Sequence, residues 1–244
     1  MALTAVHHRR LREVYRSAGW PCQDTFEIEL LAAGLVERVR GPLGHETLRV
    51  TDAGIAVLAQ TLQRNRARRD LHETLVERVA REMARAGRIA WRGLSLRAKV
   101  PEAEPDAAER WVMAMPDVYS IRHTTVEAYL EPIVHEIKVH RSDLLGDLRN
   151  PAKRAAYQQL CGEFWYVLRE GIAEADEIPA DCGVMIAREG REGREGREGE
   201  HRELDVARAA PKRAMQMPFA LWMALARATP SHTAGDDDEA QQWL

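Results

Sequence analysis

Apolar and polar positions change period several times along the chain, and each change marks an element. "HHRRLREVYRSAG" repeats with a helical period, "TFEIELLAAGLVERV" reads as a helix running into a strand, and "RGPLGHET" is a Gly/Pro turn. "LRVTDAGIAVLAQTL" is then a strand followed by a helix, with Thr51 placed to cap the helix that begins near Asp52. Beyond the arginines of "RNRARR", the segment "DLHETLVERVAREMARAG" puts Leu71, Leu75, Val79 and Met83 on one helical face. Strand patterns follow in "RIAWRGLSLR", "RWVMAMPDVYSIRH" and "YLEPIVHEIKVH", the first two joined by the acidic loop "KVPEAEPDAAE". A helical region, "SDLLGDLRNPAKRAAYQQLC", breaks near Pro151. It leads to strands at "EFWYVLRE", "CGVMIARE" and "RELDVA", and to a last helix from Pro218 to Ala228. The larger part reads α-β-β-β-α-β-β-β-α, an α/β fold with a mixed sheet flanked by helices, preceded by a small α+β module.

The expected organisation is a first domain over 1–64, a basic linker at 65–69, a larger domain over 70–230 and a disordered acidic tail at 231–244. The pattern "AAGLVER…LRVTDAGIAVL" resembles the wing and closing helix of bacterial winged-helix proteins. Asp24, Glu27 and Glu29 on the would-be recognition helix would repel phosphates, which favours packing or protein contact for that helix. Charge separates the two parts. Residues 1–69 hold 11 basic and 7 acidic side chains, a net +4, and the remainder holds 24 basic and 31 acidic, a net −7. Arg64, Arg66, Arg68 and Arg69 form a candidate phosphate-contacting patch, the alternative being a solvated helix end in an arginine-rich chain. The late apolar stretch "MPFALWMALARA" is too short to span a bilayer, so no membrane partner and a cytoplasmic location are expected. Three widely spaced cysteines, Cys22, Cys161 and Cys182, indicate neither a disulfide framework nor a zinc ribbon.

One strand carries charges where a buried strand should have none. In "IVHEIKVH", residues 133–140, Ile133, His135, Ile137 and Val139 point one way, and Val134, Glu136, Lys138 and His140 the other. Glu136 and Lys138 share a face, and ionisable groups are costly to bury unless paired or bound to a metal. Asp117, in "AMPDVYSI" on the preceding strand, would join them if the two strands form a hairpin. Two carboxylates holding Mg²⁺ (or Mn²⁺), with an ammonium beside them, suit phosphodiester hydrolysis. A solvated edge-strand face is the ordinary alternative for Glu136 and Lys138, and a turn residue for Asp117.

Pro116-Asp117 and Glu136-Ile137-Lys138 in this element order resemble the PD-(D/E)xK nuclease superfamily, with its restriction-endonuclease-like fold. The resemblance implies that Asp117 and Glu136 bind the metal with the backbone carbonyl of Ile137, and that Lys138 serves catalysis. A narrower likeness, in "HEIKVHRSDLLGDLRN…Y…CGEFWYVL…IPADCGVMIA", is to the MmcB-like family of bacterial DNA-repair nucleases. It spans about residues 70–230, with Asp143, Asp147, Arg149, Tyr157, Cys161, Phe164 and Tyr166 at matching positions. Arg149, Tyr157 and Gln158 are placed to approach the site from the following helical region, and Arg149 joins the four arginines of 64–69 as a DNA contact. Glu73 or Glu77 is an optional further metal ligand. The function so implied is a metal-dependent DNA nuclease, acting in repair. The alternatives are a non-catalytic DNA-binding or regulatory protein that keeps the fold, and a transcriptional regulator. DNA is the expected partner, with a protein partner on the first module and a homodimer left open.

"REGREGREGREG", residues 188–199, has no apolar side chain to bury and joins two expected strands. Replacing it with a short Gly/Ser turn should leave the thermal unfolding temperature unchanged. A marked fall would show that the repeat packs.

Overall fold

The computed structural model describes residues 2–42, 44–100, 110–188 and 204–231. Most of the acidic loop, the REG repeat beyond Arg188 and the acidic tail lie outside the described residues. Two compact units divide between Asp70 and Leu71.

The first unit holds α1 (Ala5–Arg16), α2 (Thr25–Ala32), the antiparallel hairpin β1 (Val36–Arg40) and β2 (Glu46–Val50), and the start of α3 (Asp52–Arg85). Leu11, Val14, Leu30, Leu35, Val36 and Leu48 form its core. Thr51 Oγ1 accepts from the Gly54 N–H at 3.2 Å, so Thr51 caps α3 as its position suggests. The acids of α2 serve this unit itself. Asp24 caps α2 through the Glu27 N–H at 2.9 Å and pairs with Arg10 at 2.7 Å. Glu27 is buried and accepts from the N–H groups of Cys22 and Gln23, and Glu29 pairs with His7.

The stretch expected as a linker is helix. Residues 65–69 lie inside α3, which runs unbroken because arginine is a good helix former and no Gly or Pro follows Gly54 before its end. Arg64, Arg66, Arg68 and Arg69 are all exposed. At 100° per residue Arg64 and Arg68 share one side of the helix, and Arg66 and Arg69 take another. They do not form a single face.

The second unit is built on a six-stranded mixed sheet. Its strands are β3 (Arg88–Arg92), β6 (Val118–Arg122), β7 (Ile133–Lys138), β8 (Glu163–Arg169), β9 (Gly183–Ala187) and β10 (Leu204–Arg208), in the spatial order β10-β9-β8-β7-β6-β3. β7, β8 and β9 are parallel and the other pairs antiparallel. β4 (Leu96–Val100) and β5 (Arg110–Ala114) form a separate two-stranded ribbon. The two long strands expected around residues 88–97 and 110–122 are therefore each broken in two. Three residues on each arm, Gly93–Ser95 and Met115–Asp117, turn the hairpin between its paired parts. Pro116 has no N–H for a ladder, and Gly93 takes a φ of +63° that favours glycine.

Helices cover both faces. The α3 stripe of Leu71, Leu75, Val79 and Met83 packs with Ala90, Val118, Ile137, Val139 and Val167. The opposite face carries Tyr119, Val134, Phe164, Tyr166 and Leu168, packed with α4 (Arg141–Leu148), α5 (Pro151–Gln158) and α6 (Phe219–Arg227). Alternation on β7 thus runs as its sequence suggests. Among the described residues no helix is long and apolar enough to cross a membrane.

His135 lies on the α3 side of β7 at 0% exposure, with neither ring nitrogen hydrogen-bonded among the described residues. Burial pushes its pKa from 6.5 down to about 3, so the folded ring stays neutral. Below about pH 6.5 the unfolded chain takes up a proton that the folded chain refuses. Stability should therefore fall with pH by about 1.4 kcal/mol per unit from this residue alone. His135→Leu should show a flatter decline between pH 6 and 4 in urea unfolding. Equal slopes would show that the ring is protonated in the fold.

Candidate functional site

The site begins where β6 and β7 part. Their pairing covers only Val118–Ser120 against Ile133–His135, so the far half of β7 has β8 on one edge and no strand on the other. Asp117, at the corner of the bent hairpin, fills that gap: its Oδ2 accepts from the Ile137 N–H at 2.7 Å. In a strand the carbonyl of a residue shares the edge of its N–H, so the Ile137 carbonyl also faces the Asp117 side. His72 Nε2 on α3 lies 3.4 Å from the same Asp117 oxygen. The hydrogen bond to Asp117 raises the His72 pKa, against the opposing pull of burial.

Glu136 sits on the other face of β7 at 3% exposure. Its Oε1 receives two ammonium groups, Lys138 Nζ at 2.7 Å and Lys153 Nζ at 2.6 Å. Its Oε2 is buried without a hydrogen-bond partner among the described residues. Burial first, and then the neighbouring charge of Asp117, push Glu136 above the usual carboxylate range despite the two lysines. Asp147 completes the cluster. Its Oδ1 takes Lys153 at 2.6 Å and Lys138 at 3.5 Å, and its Oδ2 accepts from the Tyr166 hydroxyl at 2.7 Å. Burial works against the Asp147 charge, but the two lysines and Tyr166 outweigh it and hold its pKa low.

The structure thus brings Asp117, Glu136, Ile137 and Lys138 together at one end of β7. Arg149 is exposed at the C-terminal cap of α4, and the arginines of 64–69 belong to the other unit. Tyr157 does approach: its hydroxyl donates to the Met115 carbonyl at 2.8 Å, and Lys153 lies over its ring. Gln158 instead donates to Asp181. Of the two optional acids, Glu73 lines a cavity of about 590 Å³ with His72, Arg92, Met115 and Asp117, and Glu77 does not. Lys153 and His72 were not singled out from the sequence, and Asp147 entered only through the family pattern. One signal was available for Lys153. The chain has 35 basic residues but only four lysines, Lys99, Lys138, Lys153 and Lys212, and two of those four meet on Glu136.

Could these residues hold a divalent cation? Among the described residues no three His, Cys, Asp or Glu side chains gather as a metal-ligand set. The donors present are the two carboxylates of Asp117 and Glu136 and one backbone carbonyl. Mg²⁺ accepts such a set because it prefers oxygen and keeps several waters. The buried Oε2 of Glu136, with no hydrogen-bond partner among the described residues, fits that role, since a cation would satisfy it.

Comparison of the chain with protein-family models, curated proteins and solved structures gives no match in any of the three. The fold and this cluster therefore carry the functional argument.

Each lysine leaves Glu136 with one ammonium when the other is removed, but losing both strands a buried carboxylate. Breaking a buried pair outright costs about 3–5 kcal/mol. Lys138→Met and Lys153→Met should each cost less than that, and the double variant should exceed their sum by about 1 kcal/mol in denaturant unfolding. Strict additivity would mean that the two ammonium groups act independently. Glu136→Gln added to the double variant should recover much of the loss.

Proposed function

We propose that the second unit is a metal-dependent DNA nuclease of the PD-(D/E)xK type, similar to the MmcB-like repair nucleases. The observation that carries this reading is Glu136: a buried carboxylate with one oxygen on Lys138 and Lys153 and the other without a hydrogen-bond partner among the described residues, beside an Asp117 anchored on the next residue's N–H. The element order and the mixed sheet agree with the restriction-endonuclease-like fold. The helix, helix, hairpin and helix of the first unit agree with a winged-helix-like module, whose acids serve its own packing and whose ligand in this reading is DNA or a protein partner.

In this reading Asp117, Glu136 and the Ile137 carbonyl hold Mg²⁺ or Mn²⁺, which when bound supplies Lewis-acid polarisation of a phosphate oxygen. The Ile137 N–H fixes the Asp117 carboxylate at the corner. Lys138, already on Glu136, is placed to offset negative charge that develops on the phosphate. Lys153 ties Glu136 to Asp147, and Tyr166 holds Asp147 in turn, so the metal-holding carboxylate is fixed from behind. The cavity beside Asp117 gives a substrate strand access.

A second reading has one observation in its favour. Lys153 already neutralises Glu136 from α5, as an ion-pair network in a non-catalytic DNA-binding or regulatory protein would.

Metal titration separates the two. Mg²⁺ or Mn²⁺ at about 100 times its dissociation constant should stabilise the wild-type protein by about 2.7 kcal/mol, read as a rise in unfolding temperature. Asp117→Ala and Glu136→Ala should abolish both that rise and DNA cleavage. Lys138→Ala should keep the rise while cleavage falls at least about 100-fold. An unaltered metal response in Asp117→Ala and Glu136→Ala would leave the network reading standing and the nuclease reading without support.

A further inference from the structure

The β4–β5 ribbon has two unlike faces. Residues directly opposite in an antiparallel pair share a face, so the register sets Leu96 with Ala114 and Ala98 with Val112 on one side. That side packs with α5 and α6. The other side carries Arg97 opposite Met113 and Lys99 opposite Trp111, all four exposed. Trp111 is 55% exposed and Met113 52%, and Lys99 Nζ lies 5.4 Å from the Trp111 ring centroid. The packed side of the ribbon shares one core with the α5 side of the sheet, and the corner that joins ribbon to sheet borders the cavity beside Asp117. Met115, two residues beyond Met113, lines that cavity together with Arg92 on the opposite arm. A strip of aromatic, apolar and cationic side chains, Trp111, Lys99, Arg97 and Met113, therefore lies on the open face, and Met115 and Arg92 connect it along the chain to the lining of that cavity.

We propose that this strip is a stacking platform for an unpaired DNA strand, with Trp111 under a base and Arg97 and Arg92 along the phosphates. Every base has a π-face, but in a duplex those faces are hidden by stacking, so an exposed ring flanked by cations suits a single strand. No acidic side chain occurs on the open face among the described residues of the ribbon. This inference rests on the nuclease reading and deepens it: the substrate would be DNA with single-stranded character, such as a flap or an overhang, led along the ribbon to Asp117.

The test is fluorescence anisotropy in EDTA, so that binding is read without cleavage, using a labelled oligothymidylate and a blunt duplex of the same length. The strand should bind more tightly than the duplex. Trp111→Ala should weaken strand binding about tenfold, equivalent to about 1.4 kcal/mol, and Trp111→Phe should keep most of the affinity. Residues 101–109, which join the two strands, carry four acids, so binding is followed over a salt series. Removing Arg97 and Arg92 should flatten the salt dependence. Trp111→Ala should unfold at the wild-type temperature, since its ring is exposed. If strand binding follows this pattern but no metal-dependent cleavage is found, the platform stands and the catalytic reading alone fails. A Trp111→Ala protein that binds the strand as wild type does overturns the platform, whatever the cleavage result. So does a preference for duplex, or a wild-type protein that binds no strand but self-associates through Trp111, which would assign the face to a second copy.

Discussion

A carboxylate at 3% exposure is the constraint around which the second unit is arranged. Glu136 cannot stay charged inside a sheet without counter-charge, and its own strand supplies only one lysine. The second comes from α5, whose start is fixed by Asn150 capping the Lys153 N–H and by Pro151 in the first turn. Asp147 on α4 then balances the added ammonium, and Tyr166 on β8, directly beside Glu136 in the register, holds Asp147. One buried charge thus sets what α4, α5 and β8 must place at this point. Few arrangements meet all of these demands, which ties the helix break at Pro151 to the site and not merely to chain reversal.

Two arginines of the second unit brace backbone: Arg208 donates to the carbonyls of Ile178, Pro179 and Cys182, and Arg88 to those of Ser120 and Glu131. A planar fork of five donors suits several carbonyls at once. Lys138 and Lys153 instead meet single carboxylate oxygens, where a compact ammonium fits between two acids and a guanidinium would not. In so arginine-rich a chain, lysine at two adjoining positions of one cluster marks a geometric requirement. By this argument Lys153→Arg is not a conservative change.

What the sequence made legible was whatever depended on period. Two-residue alternation placed Glu136 and Lys138 together and His135 behind them, and the helical stripe from Leu71 to Met83 marked the face that packs on the sheet. What it hid depended on partners distant in the chain. Lys153 reaches Glu136, and Asp147 reaches the two lysines, only because α5 and α4 dock over β8 and β7, and no local pattern encodes that docking. The corners at Gly93–Ser95 and Met115–Asp117 were hidden for another reason: strand propensity continues through them, and only Gly93 and Pro116 mark the break. Residues 65–69 combine both properties: they are helix formers with nothing between them to stop a helix, so α3 runs through them, and the two units divide just beyond them, between Asp70 and Leu71.

The corner is where the separate observations meet. By turning away from β7 after Val118, the hairpin leaves the edge of Ile137 open and lets Asp117 take the hydrogen bond that a strand would have made. The same turn opens the cavity lined by His72, Arg92 and Met115, and it aims the ribbon so that its covered side rests with α5 and α6 while Trp111 and Met113 remain exposed. A continuous, unbent hairpin would pair its strands through residues 115–117, and Asp117 would become one more side chain on a sheet surface. The bend therefore does two things at once: it sets an acid beside Glu136 and opens a cavity at that acid. A fold that needed only stability would gain more from extending the sheet, since each added pair along β6 and β7 would satisfy backbone groups that the corner leaves to a side chain.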